Sequence, residues 1–182
     1  MKVVILAGGF GTRISEYTKK IPKPMVKINH LPILVHIMRH YYRYGFEEFI
    51  IALGYKGKLI RDYFNKKKFP WKTTLVDTGL KTMTGGRLKR LSKYLYKETF
   101  LLTYGDGLSN VNLKKLYNFH KKNKRMITLT AVRPPARFGG LKIQGNYVNY
   151  FKEKSKLDEG WINGGFFVVE PKFLKYIKND KT

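Results

Sequence analysis

The chain of 182 residues carries 37 lysines and arginines against 12 aspartates and glutamates, which gives it a formal net charge of +25. It contains no cysteine, so a disulfide framework, a thiolate metal site and a cysteine nucleophile are excluded. The first apolar run, residues 3–7, is too short for a signal-peptide core or a membrane span, and we therefore expect a cytoplasmic protein.

The excess of positive charge has two interpretations. A basic surface can bind nucleic acids or anionic membranes through the release of counterions. Here the lysines are spread along the chain, and no RRM, KH, zinc-finger or helix-turn-helix signature accompanies them. We interpret the charge as a solvated, lysine-rich surface and expect neither a specific nucleic-acid partner nor a membrane partner. A nucleic-acid-binding module stays as the alternative that charge alone favours.

Short apolar runs rich in β-branched residues alternate with amphipathic stretches along the chain. In chain order, the pattern predicts strand 3–7, helix 32–44, strand 49–53, helix 58–64, strand 74–77, helix 87–95, strand 100–104 and helix 113–122. This alternation predicts an α/β fold with a Rossmann-like, mostly parallel sheet flanked by helices. Further on, residues 141–143 and 148–151 surround a turn at 144–146 and predict a hairpin. The length fits a single domain over residues 1–182.

The first strand is followed by a glycine-rich segment, LAGGFGTR, at residues 6–13. Ligands of open α/β sheets bind at the carboxyl ends of the strands, and glycines let backbone N–H groups face a polyphosphate. The Thr12 hydroxyl and the Arg13 guanidinium suit phosphate oxygens. The spacing matches neither the dinucleotide-binding GxGxxG pattern nor the P-loop. Without further evidence, a plain strand-to-helix turn is the alternative.

This segment and the residues Pro22, Lys23, Pro24 and Met25 together resemble the signature of sugar-1-phosphate nucleotidyltransferases. The resemblance implies a glycosyltransferase-A-like nucleotidyltransferase domain in which Lys23 contacts the phosphates, and the prolines on either side restrict the backbone that presents it. It implies nucleotide contacts from Leu6, Ala7, Gly8, Gly9, Gly11, Thr12, Arg13 and Lys23.

A second motif, TMTGGRLKR at residues 82–90, follows VDTG at residues 76–79. With these two strings the resemblance narrows to the glucose-1-phosphate cytidylyltransferases. It then implies that Thr82 and Arg87 contact the nucleotide. Taken without the resemblance, the same residues fit a helix amino terminus that begins Gly-Gly-Arg.

A third motif, TYGDG at residues 103–107, ends an apolar strand. The Asp106 carboxylate suits Mg²⁺, which prefers oxygen ligands, although Asp-Gly is also a common turn. The resemblance implies that Asp106 is the metal ligand, that Mg²⁺ is the cofactor and that Gly105 lies beside the nucleotide. It implies a sugar-phosphate site formed by Tyr104, Lys154, Asn163 and Gly164.

The reaction implied by the resemblance joins CTP to glucose 1-phosphate and releases CDP-glucose and pyrophosphate, with Arg13, Lys23 and Asp106 as the catalytic residues. A thymidylyl- or uridylyltransferase of the same family and a non-catalytic nucleotide-binding homologue are the alternatives. His36 and His40 lie four residues apart without a carboxylate partner, so we expect packing or surface roles for them. The sequence does not determine the oligomeric state, and a homo-oligomer is one of the alternatives.

The chain departs from the family pattern in three places. Relatives carry an insertion between the positions of Phe64 and Trp71, and they have proline where this chain has Ser155. They also continue past the position of Thr182 and supply a second metal-binding aspartate. We therefore expect an incomplete domain with weak turnover.

Overall fold

A computed structural model of the chain describes residues 1–11, 20–134, 140–152 and 160–182. The strands are β1 (Lys2–Leu6), β2 (Lys27–Ile28), β3 (Leu31–Pro32), β4 (Glu48–Leu53), β5 (Lys72–Asp77), β6 (Phe100–Tyr104), β7 (Ile127–Val132), β8 (Gly140–Gln144), β9 (Tyr147–Lys152) and β10 (Ile162–Val169). The helices are α1 (Ile33–Tyr42), α2 (Gly57–Asn65), α3 (Thr84–Arg90), α4 (Ser92–Leu95) and α5 (Leu113–Asn123), with 3₁₀ helices at Lys23–Met25 and Pro171–Tyr176.

The main sheet has six strands in the order β5-β4-β1-β6-β10-β7. Strands β5, β4, β1 and β6 are parallel, while β10 runs antiparallel to β6. Val4 in the centre pairs with Ile50 on one side and Leu102 on the other. The predicted α/β fold with a mostly parallel sheet flanked by helices is confirmed, and the carboxyl ends of four strands meet at one edge.

Apolar residues cover both faces of the sheet, as parallel strands require. On one face Val3 and Ile5 pack with helices α1 and α2, and on the other Val4 packs with Leu88 of α3. Successive residues of a strand point to opposite faces, which places neighbouring residues of β1 in two separate clusters. Every residue at the centre of β1 must therefore be apolar, because both faces of the sheet are buried.

Two compact units are distinguished, one formed by Met1–Thr128 with Gly165–Thr182 and one by Leu129–Gly164. The second unit contains the predicted hairpin, in which β8 and β9 pair antiparallel and Gly145 adopts φ +59° in the turn. Its Arg133 guanidinium lies 4.7 Å from the centre of the Trp161 ring. No helix within the described residues is long and apolar enough to cross a membrane.

A buried histidine connects helix α5 to its surroundings in the first unit. One ring nitrogen of His120 lies 2.8 Å from the Thr128 hydroxyl, and the other lies 3.0 Å from a Glu170 carboxylate oxygen, which also accepts from Thr99. Burial raises the pKa of Glu170, but the hydrogen bonds from His120 and Thr99 oppose it and bring that pKa below its ordinary value.

We predict that Glu170→Gln reduces the acid sensitivity of folding. A carboxylate whose pKa is lower in the folded state stabilises the fold above its unfolded pKa, and this stabilisation is lost as the pH falls through the folded value. The free energy of unfolding of the wild type, relative to the variant, should decrease from about pH 6 to about pH 3 in denaturant titrations. Glu47→Gln, at an exposed position, serves as control. A difference that does not change with pH would contradict the assignment.

Candidate active site

A cleft of ≈ 280 Å³ opens at the carboxyl ends of β1 and β6. It is lined by four segments of the first unit: residues 6–11, 23–24, 80–84 with Arg87, and 104–106. The sequence-predicted site residues that line it are Leu6, Ala7, Gly8, Gly9, Gly11, Lys23, Thr82, Arg87, Tyr104, Gly105 and Asp106. All three glycine-containing motifs therefore meet in one cavity.

The other five predicted site residues are not among the described residues that line this cleft. Thr12, Arg13 and Lys154 lie outside the described residues. Asn163 and Gly164 belong to the second unit, where a Cβ on Gly164 would lie 2.9 Å from the Thr130 carbonyl oxygen. Close backbone approach thus accounts for the glycine at that position.

The Arg87 guanidinium holds together the chain segments that end or follow two neighbouring strands, β4 and β5. Its Nη1 donates to the Leu53 carbonyl at 3.1 Å, to the Thr78 hydroxyl at 2.9 Å and to the Gly79 carbonyl at 2.6 Å. Its Nη2 donates to the Leu80 carbonyl at 3.2 Å. The side chain is 5% exposed, and burial lowers the pKa of Arg87 while Asp77 opposes that shift. Its donors therefore point largely at backbone oxygens.

The glycine-rich loop lies directly over this guanidinium. A Cβ on Gly8 would come within 2.6 Å of Arg87 Cζ, and a Cβ on Gly54 would come within 2.6 Å of the Gly8 carbonyl oxygen. Neither contact is possible without displacement of the loop or the side chain. The buried cation and the absence of side chains at these two positions together fix the floor of the cleft.

Lys23 and Asp106 face each other across the cleft. Lys23 Nζ donates to Asp106 Oδ2 at 2.5 Å, and the two side chains are 25% and 35% exposed. The ends of β1 and β6 are fixed behind this pair, because Gly105 N donates to the Leu6 carbonyl at 2.9 Å and a Cβ on Gly105 would lie 3.0 Å from Pro24 Cγ. A partly exposed ion pair contributes only about 0–1 kcal/mol, so either partner can exchange it for a stronger ligand.

Asp106 is the one carboxylate among the described residues that line the cleft. Those residues contain no group of three histidines and carboxylates that could hold a metal ion by itself. Mg²⁺ accepts one or two protein carboxylates and completes its shell with water and phosphate oxygens. The cleft fits Mg²⁺ only as an ion that a bound phosphate helps to hold.

The rim of the cleft is apolar, which the sequence motifs did not indicate. Phe10, Leu80 and Met83 line the cavity and are 47%, 50% and 57% exposed. The Phe10 ring lies 5.3 Å from that of Tyr55. An apolar residue at the tip of a glycine loop is the signal that could have identified Phe10. Such a rim suits a flat, partly apolar group beside a cationic floor.

Tyr104, at the end of β6, is positioned by an aromatic and a glycine contact. Its ring lies 5.9 Å from that of Phe167 in an edge-on arrangement. Gly165 has φ +79°, and a Cβ there would lie 3.0 Å from Tyr104 Cδ2. A glycine at residue 165 therefore permits both the backbone conformation and the ring position.

Residues 2–182 match the family described as Nucleotidyl transferase. The chain is 48% identical over 205 residues to glucose-1-phosphate cytidylyltransferase of Salmonella typhi, covering 100% of this chain and 80% of the relative. It is 42% identical over 201 residues to the probable glucose-1-phosphate cytidylyltransferase of Bacillus subtilis, covering 99% and 79%.

Among solved structures, HddC from Yersinia pseudotuberculosis superimposes with a TM-score of 0.79 at 30% identity, covering 100% of this chain and 81% of HddC. HddC has also been solved in complex with GMP-PN, and that structure superimposes with a TM-score of 0.78.

We predict that Arg87→Lys lowers the free energy of unfolding by about 2–4 kcal/mol, because one ammonium cannot satisfy the oxygens that the guanidinium serves and leaves buried carbonyls unpaired. Arg125→Lys, at an exposed position, is the matched control and should cost much less. Urea unfolding measures both. Equal, small losses would show that Arg87 does not hold the loops.

Proposed function

Because the chain belongs to the nucleotidyl transferase family, we propose that it transfers the cytidylyl group of CTP to glucose 1-phosphate and forms CDP-glucose and pyrophosphate. The observation that carries the proposal is the 48% identity to a glucose-1-phosphate cytidylyltransferase over the whole of this chain. The cleft adds physical support, because its described lining residues combine a glycine loop, Lys23 and the carboxylate of Asp106.

In this reaction a phosphate oxygen of glucose 1-phosphate attacks the α-phosphorus of CTP. A new P–O bond forms, and the bond from the α-phosphorus to the oxygen that bridges it to the β-phosphorus breaks. Pyrophosphate leaves with that electron pair. No covalent bond to the protein is needed, so the protein must align two anions and stabilise the charge that develops on the phosphoryl oxygens.

The cleft residues have chemistry that suits these tasks. We assign the backbone N–H groups of Gly8, Gly9 and Gly11 and the Lys23 ammonium to the triphosphate, and Arg13 to the same anion. The triphosphate would replace Asp106 as the partner of Lys23. Asp106 would then hold Mg²⁺ with the phosphate oxygens, and the ion would neutralise their charge.

The other assignments concern the base, the sugar phosphate and the location. The apolar rim of Phe10, Leu80 and Met83 offers a surface for the cytosine ring, and Thr82 lies beside it. Tyr104, Lys154, Asn163 and Gly164 are assigned to glucose 1-phosphate. Nucleoside triphosphates and sugar phosphates are cytoplasmic metabolites, so we propose that the enzyme works in the cytoplasm.

We predict that, with Mg²⁺ and without glucose 1-phosphate, CTP binds about tenfold more tightly than dTTP, UTP, ATP or GTP, a difference of about 1.4 kcal/mol. Glucose 1-phosphate is added only for the rate measurement. GTP belongs in the series because relatives at 31% and 32% identity are named heptose 1-phosphate guanylyltransferases. Calorimetric titration gives the affinities, and release of pyrophosphate gives the rates. Equal affinities would contradict the preference for CTP and would leave only nucleotidyl transfer, with the nucleobase undefined.

We predict that Lys23→Ala lowers turnover by about a hundredfold or more, because the ammonium stabilises charge that develops during transfer. Arg13→Ala should have an effect of the same order. Lys27→Ala removes an exposed lysine four residues away and serves as the matched control. Turnover of Lys23→Ala within a few-fold of the control would exclude this role for Lys23.

A further inference from the structure

Residues 177–182, here the 177–182 segment, lie against the amino terminus of helix α3 (Thr84–Arg90). The Asp180 carbonyl accepts from Met83 N at 2.8 Å. The Thr182 main-chain oxygen accepts from Gly85 N at 2.8 Å and from Gly86 N at 3.3 Å. The first N–H groups of a helix lack partners within the helix, and no side chain caps this one. The 177–182 segment therefore supplies the cap.

The two glycines of TMTGGR are required by this contact. A Cβ on Gly86 would lie 2.5 Å from Asp180 Cα and 2.8 Å from the Asp180 carbonyl oxygen. A Cβ on Gly85 would lie 2.9 Å from the Thr182 main-chain oxygen. The amides of Gly85 and Gly86 already donate to the segment. The two glycines therefore allow two backbones to pack closely, and their N–H groups are not directed at a phosphate.

Side chains of α3 strengthen the contact. Arg90 binds the Asp180 carboxylate with two hydrogen bonds, Nε to Oδ1 at 3.0 Å and Nη2 to Oδ2 at 2.5 Å. Lys89 Nζ donates to the carbonyls of Ile177 at 2.6 Å and Lys178 at 2.9 Å. A forked guanidinium on a carboxylate fixes orientation as well as distance.

The segment has internal order of its own. Lys181 N donates to the Asn179 side-chain oxygen at 2.9 Å, and Thr182 N donates to the Asn179 carbonyl at 3.3 Å. These bonds form a compact turn. Asp180 and Thr182 thus present their oxygens to α3 from a defined conformation.

Helix α3 connects this contact to the floor of the cleft. Arg90 Nη1 donates to the Thr78 carbonyl at 3.2 Å, and Arg87, one turn earlier, donates to the Thr78 hydroxyl at 2.9 Å. Arg87 in turn lies beneath Gly8. A displacement of α3 therefore moves the guanidinium on which the glycine loop rests.

We propose that the 177–182 segment positions the nucleotide site, with Asp180 and Arg90 as positioning residues. Neither residue lines the cleft, so neither is catalytic. Both residues hold α3 in place. Arg87 and residues 82–84 thereby keep a fixed position relative to the glycine loop. This inference rests on the proposed function for the identity of the ligand, CTP.

The first test measures CTP affinity and kinetics in Asp180→Asn and Gly86→Ala. We expect the Kd and KM for CTP to rise about fivefold in Asp180→Asn and about tenfold or more in Gly86→Ala, with the KM for glucose 1-phosphate within about twofold. Asp180→Glu, which keeps the carboxylate, should recover part of the loss. Glu47→Gln and Gly160→Ala are the matched controls, since Glu47 is exposed and a Cβ on Gly160 meets nothing within 4 Å.

The second test follows amide hydrogen exchange at residues 83, 85 and 86 in the chain without ligand. Exchange at these positions should be faster in Asp180→Asn and Gly86→Ala than in the controls. Faster exchange with unchanged CTP affinity would make the segment merely structural and would overturn the proposal, as would unchanged exchange. A wild-type chain that binds CTP without turnover would contradict the proposed function alone, because the affinity comparison still decides the positioning role.

Discussion

The cleft depends on the hydrogen bonds that the buried Arg87 guanidinium donates to the surrounding loops. A cation removed from water needs hydrogen-bond acceptors, and here the loops that follow β4 and β5 supply them. Those loops are drawn together as a result, and the loop after β1 lies on top with a glycine at the point of contact. The same charge raises the positive potential under the loop, where a polyphosphate would lie. Arg87 thus acts on shape and on electrostatics from one position.

The Lys23–Asp106 pair explains how a cleft with opposite charges can still receive an anion. The two side chains are partly exposed, and their mutual attraction is weakened by water. A polyphosphate presents more oxygens to the lysine than one carboxylate does, and it brings oxygens that can share a metal ion with Asp106. The net charge of +25 adds a long-range attraction for such ligands, although it does not select among them.

The sequence predicts the strands best where both faces are buried. The runs that became β1, β4 and β6 are continuous and apolar, whereas the predicted helix 87–95 begins at Thr84 and is interrupted at Leu91. The site motifs were found because glycines and charges follow strands directly. Two features had no such signal: Arg87 binds backbone oxygens, and the cap of α3 comes from carbonyls almost a hundred residues away. Every residue has a backbone carbonyl oxygen, so the sequence cannot show which of them accept these hydrogen bonds, and only the fold does.

The central claim is that one cleft, organised by Arg87, takes the nucleoside triphosphate. Amide chemical shifts recorded during titration with CTP and Mg²⁺ test it most directly. The account predicts saturable shifts at Gly8, Gly9, Gly11, Met83 and Gly105, with little change along helix α5, where lysines are abundant and exposed. Shifts spread over the lysine-rich surface, and reproduced by an unrelated polyanion at the same charge concentration, would contradict it.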